Sequence, residues 1–201
     1  LRPLLPELHK YGLLEDVALL GLEGELWDAL IRSIADQPDG SVKDLSGLWR
    51  DIPRAQRDQL KLKVCYVDVL IRLGGHREAE KQLVAWLGKE RQGELAAFLG
   101  RFPPENPRKL LNIIRKWLEA PTHDGVLLLA GARVALHAGE WEVAGTWLEE
   151  AHQGGATAEN CCELARLCTA MGDHERASAL SAEAAALTME PLPDLPLPEP
   201  K

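Results

Sequence analysis

The sequence lacks a cluster of basic residues, and it lacks a hydrophobic run long enough to cross a membrane. Its formal net charge is -8, which argues against a general nucleic-acid binder because such binding depends on a basic surface. The longest apolar run, "GVLLLAGA" before Arg133, is far shorter than the roughly 20 residues that a membrane span needs. We therefore expect neither a nucleic-acid interface nor a membrane span in this sequence.

Motifs of known catalytic and metal-binding chemistry are also missing. There is no phosphate-binding glycine loop, no nucleophile elbow, no HExxH and no G-x-G-x-x-G that opens a βαβ unit. The four cysteines show no CxxC or paired zinc-ligand spacing, so reduced thiols in a cytosolic setting are expected: Cys65, Cys161, Cys162 and Cys168. The acidic residues are scattered along the chain. The sequence predicts a protein that is not an enzyme and holds no metal.

The residues that are abundant favour helix. Leu, Ala, Glu and Arg dominate, β-branched residues are sparse, and only 5% of the residues are aromatic. Two stretches, "GEWEVAGTWLEEA" from Gly139 and "GDHERASALSAEAA" from Gly172, share a pattern and begin 33 residues apart. This spacing fits a helix-turn-helix repeat, with each glycine in the turn and a small residue, Ala144 or Ala177, facing the preceding helix.

The pattern extends upstream. "VDVLIRLGGHREAEKQLVAWL" places Gly74 in the turn and Ala79 in the small position, 65 residues before Ala144. A unit is therefore expected between them, with "NPRKLLNIIRKWLEA" as its second helix. Its first half, "ELAAFLGRFPPE", cannot be one continuous helix because it contains Pro103 and Pro104. His76 and His174 stand where Trp141 does, and we expect a ring at this position to pack against the turn.

The ends of the sequence depart from the repeat. "GELWDALIRSIADQPDG" and "SVKDLSGLWRDIP" predict helices whose Trp27 and Trp49 anchor them to the array. "EPLPDLPLPEPK" predicts an extended or disordered tail. The expected organisation is a divergent helical region at 1–52, repeats at 53–190 with a degenerate one at about 93–120, and a proline-rich tail at 191–201.

The turn-and-alanine pattern resembles the tetratricopeptide repeat. The expected fold is all-α, with tetratricopeptide-like antiparallel helix pairs stacked into a right-handed superhelix. The first helices of successive pairs would line a concave face that binds a peptide or a helix of a partner. Projection onto the repeat places these residues on that face: Lys61, Val64, Asp68, Arg72, Leu129, Arg133, Leu136, His137, Glu159, Cys162 and Arg166.

Two interpretations of the arginines on that face stay open. Arg72, Arg133 and Arg166 could bind a ligand that carries carboxylates, since guanidinium groups suit that chemistry. They could equally form salt bridges within the array. Cys161 and Cys168 lie on the buried stripe of their helix and are expected to be packing residues.

The order of segments resembles the C-terminal domain of the HemY family of bacterial inner-membrane proteins. The resemblance rests on "LLPELHK", "ELWDALIRSIAD", "GLWRDIPRAQRDQL", "NPRKLLNIIRKWLE" and "LHAGEWEVAGTWLEEA" followed by "LARLCTAMGDHERASAL". It implies a helical-repeat domain on the cytoplasmic side of the membrane, with an N-terminal membrane anchor outside this sequence, which we expect to be a fragment. It also implies an association with late haem biosynthesis.

The function expected from this resemblance is that of a scaffold, with haem-biosynthesis enzymes as partners. One alternative is a protein that binds haem or a porphyrin, with His137 or Cys162 as a ligand of the iron. Another is a general tetratricopeptide adaptor of envelope assembly.

Overall fold

The chain folds into α-helices. The computed structural model describes residues 16–119 and 124–188, and every regular element in these ranges is helical, which confirms the all-α prediction. None of the helices in the described ranges combines the length and apolar character that crossing a membrane requires. The proline-rich tail predicted at 191–201 and the opening segment lie outside the described residues.

Eleven helices make up the described ranges. In chain order they are α1 (Asp16–Asp36), α2 (Val42–Asp51), α3 (Arg54–Arg57), α4 (Leu60–Arg72), α5 (His76–Leu87), α6 (Gly93–Ala96), α7 (Pro107–Leu118), α8 (Gly125–Ala138), α9 (Trp141–Gly154), α10 (Ala158–Met171) and α11 (His174–Thr188).

Polar side chains fix the starts of several helices. The hydroxyl of Ser41 accepts a hydrogen bond from the amide of Asp44 at the start of α2. Asp124 accepts two from amides in the first turn of α8, at 3.0 and 3.3 Å. Thr157 and Asn160 form a reciprocal capping box at the start of α10. These bonds satisfy amides that have no partner within the helix itself.

The chain divides into two compact units, one ending at Asn106 and the other beginning at Pro107. The division falls inside the segment 93–120, where the degenerate repeat was predicted. The first unit contains α1 to α6, and its α1 and α2 both pack against α4. The N-terminal helical region and the first repeat hairpin therefore share one unit.

An aromatic cluster attaches α2 to the first hairpin. Trp49 of α2 stacks on Tyr66 of α4 with 4.1 Å between ring centroids, and Trp86 of α5 lies 5.9 Å from Trp49. Trp49 is buried, as is Trp27 of α1. Both tryptophans thus occupy the core positions that their prediction as anchors requires.

The same glycine turn joins three pairs of helices. Gly74, Gly139 and Gly172 all adopt the left-handed conformation, with φ of +74°, +77° and +86°. After each glycine, the next amide donates to the carbonyl five residues earlier: Gly75 to Leu70, Glu140 to Ala135 and Asp173 to Cys168. This is the Schellman arrangement that ends a helix and reverses the chain. The turns predicted from the 33- and 65-residue spacings are confirmed.

The predicted small positions are also confirmed. Ala79, Ala144 and Ala177 are buried where the two helices of each hairpin meet. The ring of Trp141 lies beside its turn, because a Cβ at Gly139 would be 4.0 Å from it, but Trp141 is 56% exposed. His174 is also exposed. His76 differs because Phe102 supplies a ring for it to stack on, at 5.4 Å between centroids.

The degenerate segment behaves as its prolines predict. Only the single turn of α6 precedes Pro103 and Pro104, and the regular helix α7 follows. The apolar side of α7 is buried through Leu110, Leu111, Ile114 and Trp117. α7 packs against α8 in the second unit.

Close packing of α7, α8 and α9 depends on Gly131 in the middle of α8. A Cβ atom at this position would lie 2.9 Å from the ring of Trp147 and 3.0 Å from the side chain of Ile114. Both distances are shorter than normal van der Waals contact. Gly131 therefore leaves space for Trp147, although glycine costs about 1 kcal/mol of helix propensity relative to alanine.

We expect Gly139→Ala to lower the free energy of unfolding by about 1–2 kcal/mol, because an alanine side chain is strained in the left-handed conformation. Urea unfolding followed by far-ultraviolet circular dichroism measures the change.

Gly145→Ala is the matched control, since Gly145 lies in α9 and its Cβ would meet Leu167 at an ordinary 3.6 Å. This substitution should be neutral or should stabilise by up to about 1 kcal/mol. Equal destabilisation by the two alanines would contradict the role assigned to the turn.

Candidate functional site

The residues predicted for one concave face belong to two different units. Lys61, Asp68 and Arg72 lie on α4 in the first unit. The remaining predicted positions lie in the second unit, on α8 and α10: Leu129, Arg133, His137, Glu159, Cys162 and Arg166.

On α4, the predicted residues are exposed or half-buried. Arg72 is exposed and pairs with Asp36 at 3.5 Å. Val64 and Asp68 are half-buried, and Lys61 is exposed. Lys61 also lines an open depression of about 170 Å³ beside Gly21 and Gly24 of α1. No convergent set of functional groups distinguishes this part of the first unit within the described residues.

Arg133 is a buried link between α8 and α10. Its side chain is only 10% exposed, and its guanidinium contacts Glu159 at 2.6 Å and Glu163 at 2.5 Å. Burial disfavours the charged guanidinium, but the hydrogen bonds with Glu163 and Glu159 raise the pKa of Arg133 above its ordinary value. The salt-bridge interpretation is the one that holds for Arg133. Its guanidinium is occupied within the protein and does not face a ligand.

One other predicted position departs from the concave-face projection. Leu129 is 7% exposed and belongs to the core of the second unit. The reason is that α8 is apolar around most of its circumference and packs against both α7 and α9, so residues 127–135 are all buried. Leu136 is half-buried. Placing Leu129 and Arg133 on an exposed face was therefore wrong.

The predicted residues on α10 do form an exposed surface. Glu159, Cys162, Arg166 and Thr169 are all exposed and follow one another at intervals of three or four residues, so they share one side of the helix. We call this set the α10 face. Arg166 makes no ion pair with any described residue, whereas half of the Glu159 side chain is covered through its contact with Arg133. The α10 face thus combines an exposed cation, a thiol and a partly engaged carboxylate.

The two candidate haem ligands are both on the surface. His137 lies in the last turn of α8 and is exposed, and Cys162 is exposed on α10. Neither side chain lies in an apolar pocket, which an axial ligand of haem iron would need. The structure therefore supplies no haem-binding geometry around these two residues in the described ranges.

Cys162 is also the exposed one of the four cysteines. Burial raises the pKa of Cys65 to about 12 and raises the pKa values of Cys161 and Cys168, and the charge of Glu183 adds to the effect on Cys161. Thiolates are the reactive form of cysteine. Because the other three thiols are buried, a reagent in solution is expected to reach Cys162 first.

The acidic partners of Arg133 are not predicted by the repeat pattern. Glu159 was expected on the concave face, and Glu163 was not singled out. A usable signal was present, because Arg133 is the one charged residue between Gly125 and Leu136 in an otherwise apolar segment. A buried arginine requires acidic partners. Glu159 and Glu163 are four residues apart on α10, which is the first helix of the following hairpin.

A double-mutant cycle on Arg133 and Glu163 tests the buried link. We expect Arg133→Met to cost about 3 kcal/mol of unfolding free energy, because it leaves the mostly buried Glu163 without its cation. The double substitution with Glu163→Met should cost less than the two single changes together, with a coupling of at least about 1 kcal/mol.

The pair Arg176 and Glu149 provides the control, since it joins neighbouring helices at 2.5 Å but is more exposed. Its coupling should lie below about 1 kcal/mol. Additive effects at Arg133 and Glu163 would contradict the assignment.

Thiol labelling tests the placement of Cys162. Under native conditions, a thiol reagent should modify one cysteine rapidly and the other three only as fast as the protein opens. Cys162→Ser should remove the rapid phase, and Cys168→Ser should leave it unchanged. A rapid phase that survives Cys162→Ser would show that the α10 face is assigned incorrectly.

Comparison of the chain with protein-family models, with curated proteins and with solved structures gave no match.

Proposed function

We propose that the chain is a non-catalytic scaffold for protein-protein interaction, built from tetratricopeptide-like hairpins that stack into a right-handed superhelix. The observation that carries this proposal is the recurrence of one turn. In three hairpins, the first helix ends at a left-handed glycine, and the next amide donates a hydrogen bond to the carbonyl five residues earlier. The second helix of each hairpin carries a buried alanine. Arrays of such hairpins present surfaces to partner proteins.

The α10 face is the docking surface that we propose. Its helix is the first of the last described hairpin, which is the position that lines the inner surface in arrays of this type. Arg166 supplies an exposed cation without an intramolecular ion pair in the described ranges, and Glu159 and Cys162 flank it on the same side. A partner with an acidic segment fits this surface, because an arginine fork binds carboxylates with two hydrogen bonds.

The resemblance to the HemY family supplies the class of partner. On that basis, the proposed partners are enzymes of late haem biosynthesis, held at the cytoplasmic side of a bacterial inner membrane. The haem-handling alternative has less support, since His137 and Cys162 are both exposed.

Charge reversal at Arg166 tests the docking surface. We expect Arg166→Glu to weaken binding to a partner enzyme roughly tenfold, because it places a negative charge opposite an acidic segment. The measurement is titration of the purified chain with each late haem-biosynthesis enzyme.

Arg108→Glu is the matched control. Arg108 is exposed on α7 of the same unit and has no ion pair with a described residue. Equal binding by wild type, Arg166→Glu and Arg108→Glu would remove the α10 face from the proposal. If the chain binds none of these enzymes, the proposed class of partner is wrong.

A further inference from the structure

Three potential metal ligands converge between the last three helices. His152 of α9, Cys161 of α10 and Glu183 of α11 place one ligand atom each within 4.8 Å of one another. The imidazole Nε2 of His152 lies 2.9 Å from Oε2 of Glu183. This group is not predictable from sequence spacing, because its members are separated by 9 and 22 residues and match no metal-binding spacing.

Hydrogen bonds hold the chain in place around two of these residues. The side-chain amide of Asn160 donates to the carbonyls of Ala151 and Gly155, at 3.3 and 3.1 Å. These carbonyls lie on either side of His152, and Asn160 directly precedes Cys161. Asn160 is itself buried. The connection between α9 and α10 is thus fixed by a satisfied buried polar group, which keeps His152 and Cys161 in register.

Burial is graded across the group. Cys161 is completely buried, whereas the side chains of His152 and Glu183 are 24% and 41% exposed. One side of the group therefore faces solvent. An ion would enter from this side, and a water molecule would bind there as an additional ligand.

We propose that His152, Cys161 and Glu183 form a zinc site, with Nε2, Sγ and a carboxylate oxygen as ligands and water in the fourth position. The donor set is the reason for zinc. Thiolate and imidazole donors suit Zn²⁺, whereas Mg²⁺ and Ca²⁺ take sets of oxygen ligands. Three protein ligands and one open position are a common zinc arrangement.

The spacing of the donors suits a tetrahedral ion after small side-chain movements. Zinc bonds of about 2.0–2.3 Å place neighbouring ligands about 3.3–3.8 Å apart. The ligand atoms of His152 and Glu183 are 2.9 Å apart and would separate slightly. The distances from Cys161 Sγ to these two atoms, which are at most 4.8 Å, would shorten where they exceed this range. The partly exposed His152 and Glu183 have the freedom for this change, and the buried Cys161 serves as the fixed ligand.

A zinc ion in this position would clamp α9, α10 and α11 together. It would connect the two C-terminal hairpins at the side where α10 and α11 meet the end of α9. The site is independent of the proposed scaffold function, since it uses none of the residues of the α10 face.

The test is titration of the chelator-treated chain with Co²⁺, which reports on zinc sites by its absorption spectrum, followed by displacement with Zn²⁺. We expect one ion per chain, a thiolate-to-cobalt charge-transfer band in the near ultraviolet and the visible bands of a four-coordinate ion. Saturating Zn²⁺ should raise the melting temperature by about 5 °C or more.

Variants of the ligands identify the site. Cys161→Ser should abolish the charge-transfer band, and Glu183→Gln and His152→Gln should each weaken Zn²⁺ binding at least tenfold, with the helical circular dichroism spectrum unchanged. Because Cys161 is buried, its variant could fail to fold. The variants at the partly exposed positions, His152→Gln and Glu183→Gln, are therefore sufficient to test the proposal.

Cys162→Ser and His137→Gln are the matched controls, and both should keep the cobalt spectrum and the zinc affinity. Absence of the charge-transfer band in the wild-type chain would overturn the proposal. So would binding that His152→Gln and Glu183→Gln leave unchanged, or a band that disappears in Cys162→Ser.

Discussion

The left-handed glycine turn is the constraint on which the rest of the structure depends. Only Gly139 and Glu140 separate the helix that ends at Ala138 from the helix that begins at Trp141. The left-handed Gly139 and the hydrogen bond from the Glu140 amide to Ala135 reverse the chain between them. The two helices then lie so close that only a small side chain fits between them, as Ala144 does. The same requirement at Gly172 and Ala177 produces the last of the three hairpins, and it accounts for the repeated spacing of glycine and alanine in the sequence.

These features are the part of the fold that the sequence predicts well. Glycine in a left-handed turn and alanine at a close helix contact are local requirements, so their spacing reveals them directly. Pro103 and Pro104 act in the same local way, since each removes a backbone donor. In contrast, Trp141 and His174 occupy the same repeat position as His76 but remain exposed, because whether a ring packs there depends on a neighbour such as Phe102 from elsewhere in the chain.

The candidate site was harder to predict because it depends on which sides of a helix are covered. A repeat template assigns one face of α8 to the surface, yet α7 and α9 pack against this helix and Leu129 is buried, while Arg133 is buried in contact with Glu159 and Glu163 of α10. On α10 the template was right about exposure for Glu159, Cys162 and Arg166. It could not find the contact of Arg133 with Glu163, or the approach of His152, Cys161 and Glu183, since these contacts join residues that are 9 to 31 positions apart on different helices.

The buried link and the exposed face together explain the proposed role of α10. Arg133 ties this helix to α8 through Glu159 and Glu163, so the neighbouring exposed side chains stand on a well-anchored element. A rigid helix that presents an exposed arginine has less conformational entropy to lose on binding than a mobile loop.

Site-specific photocrosslinking is the most direct test of this account. A photoreactive residue is placed at position 166 or at position 108, and crosslinked partners are identified from cells that contain the full chain. The account predicts crosslinks to a haem-biosynthesis enzyme from position 166 and none from position 108. Crosslinks from position 108 alone, or equal crosslinks from both, would contradict the assignment of the α10 face as the docking surface.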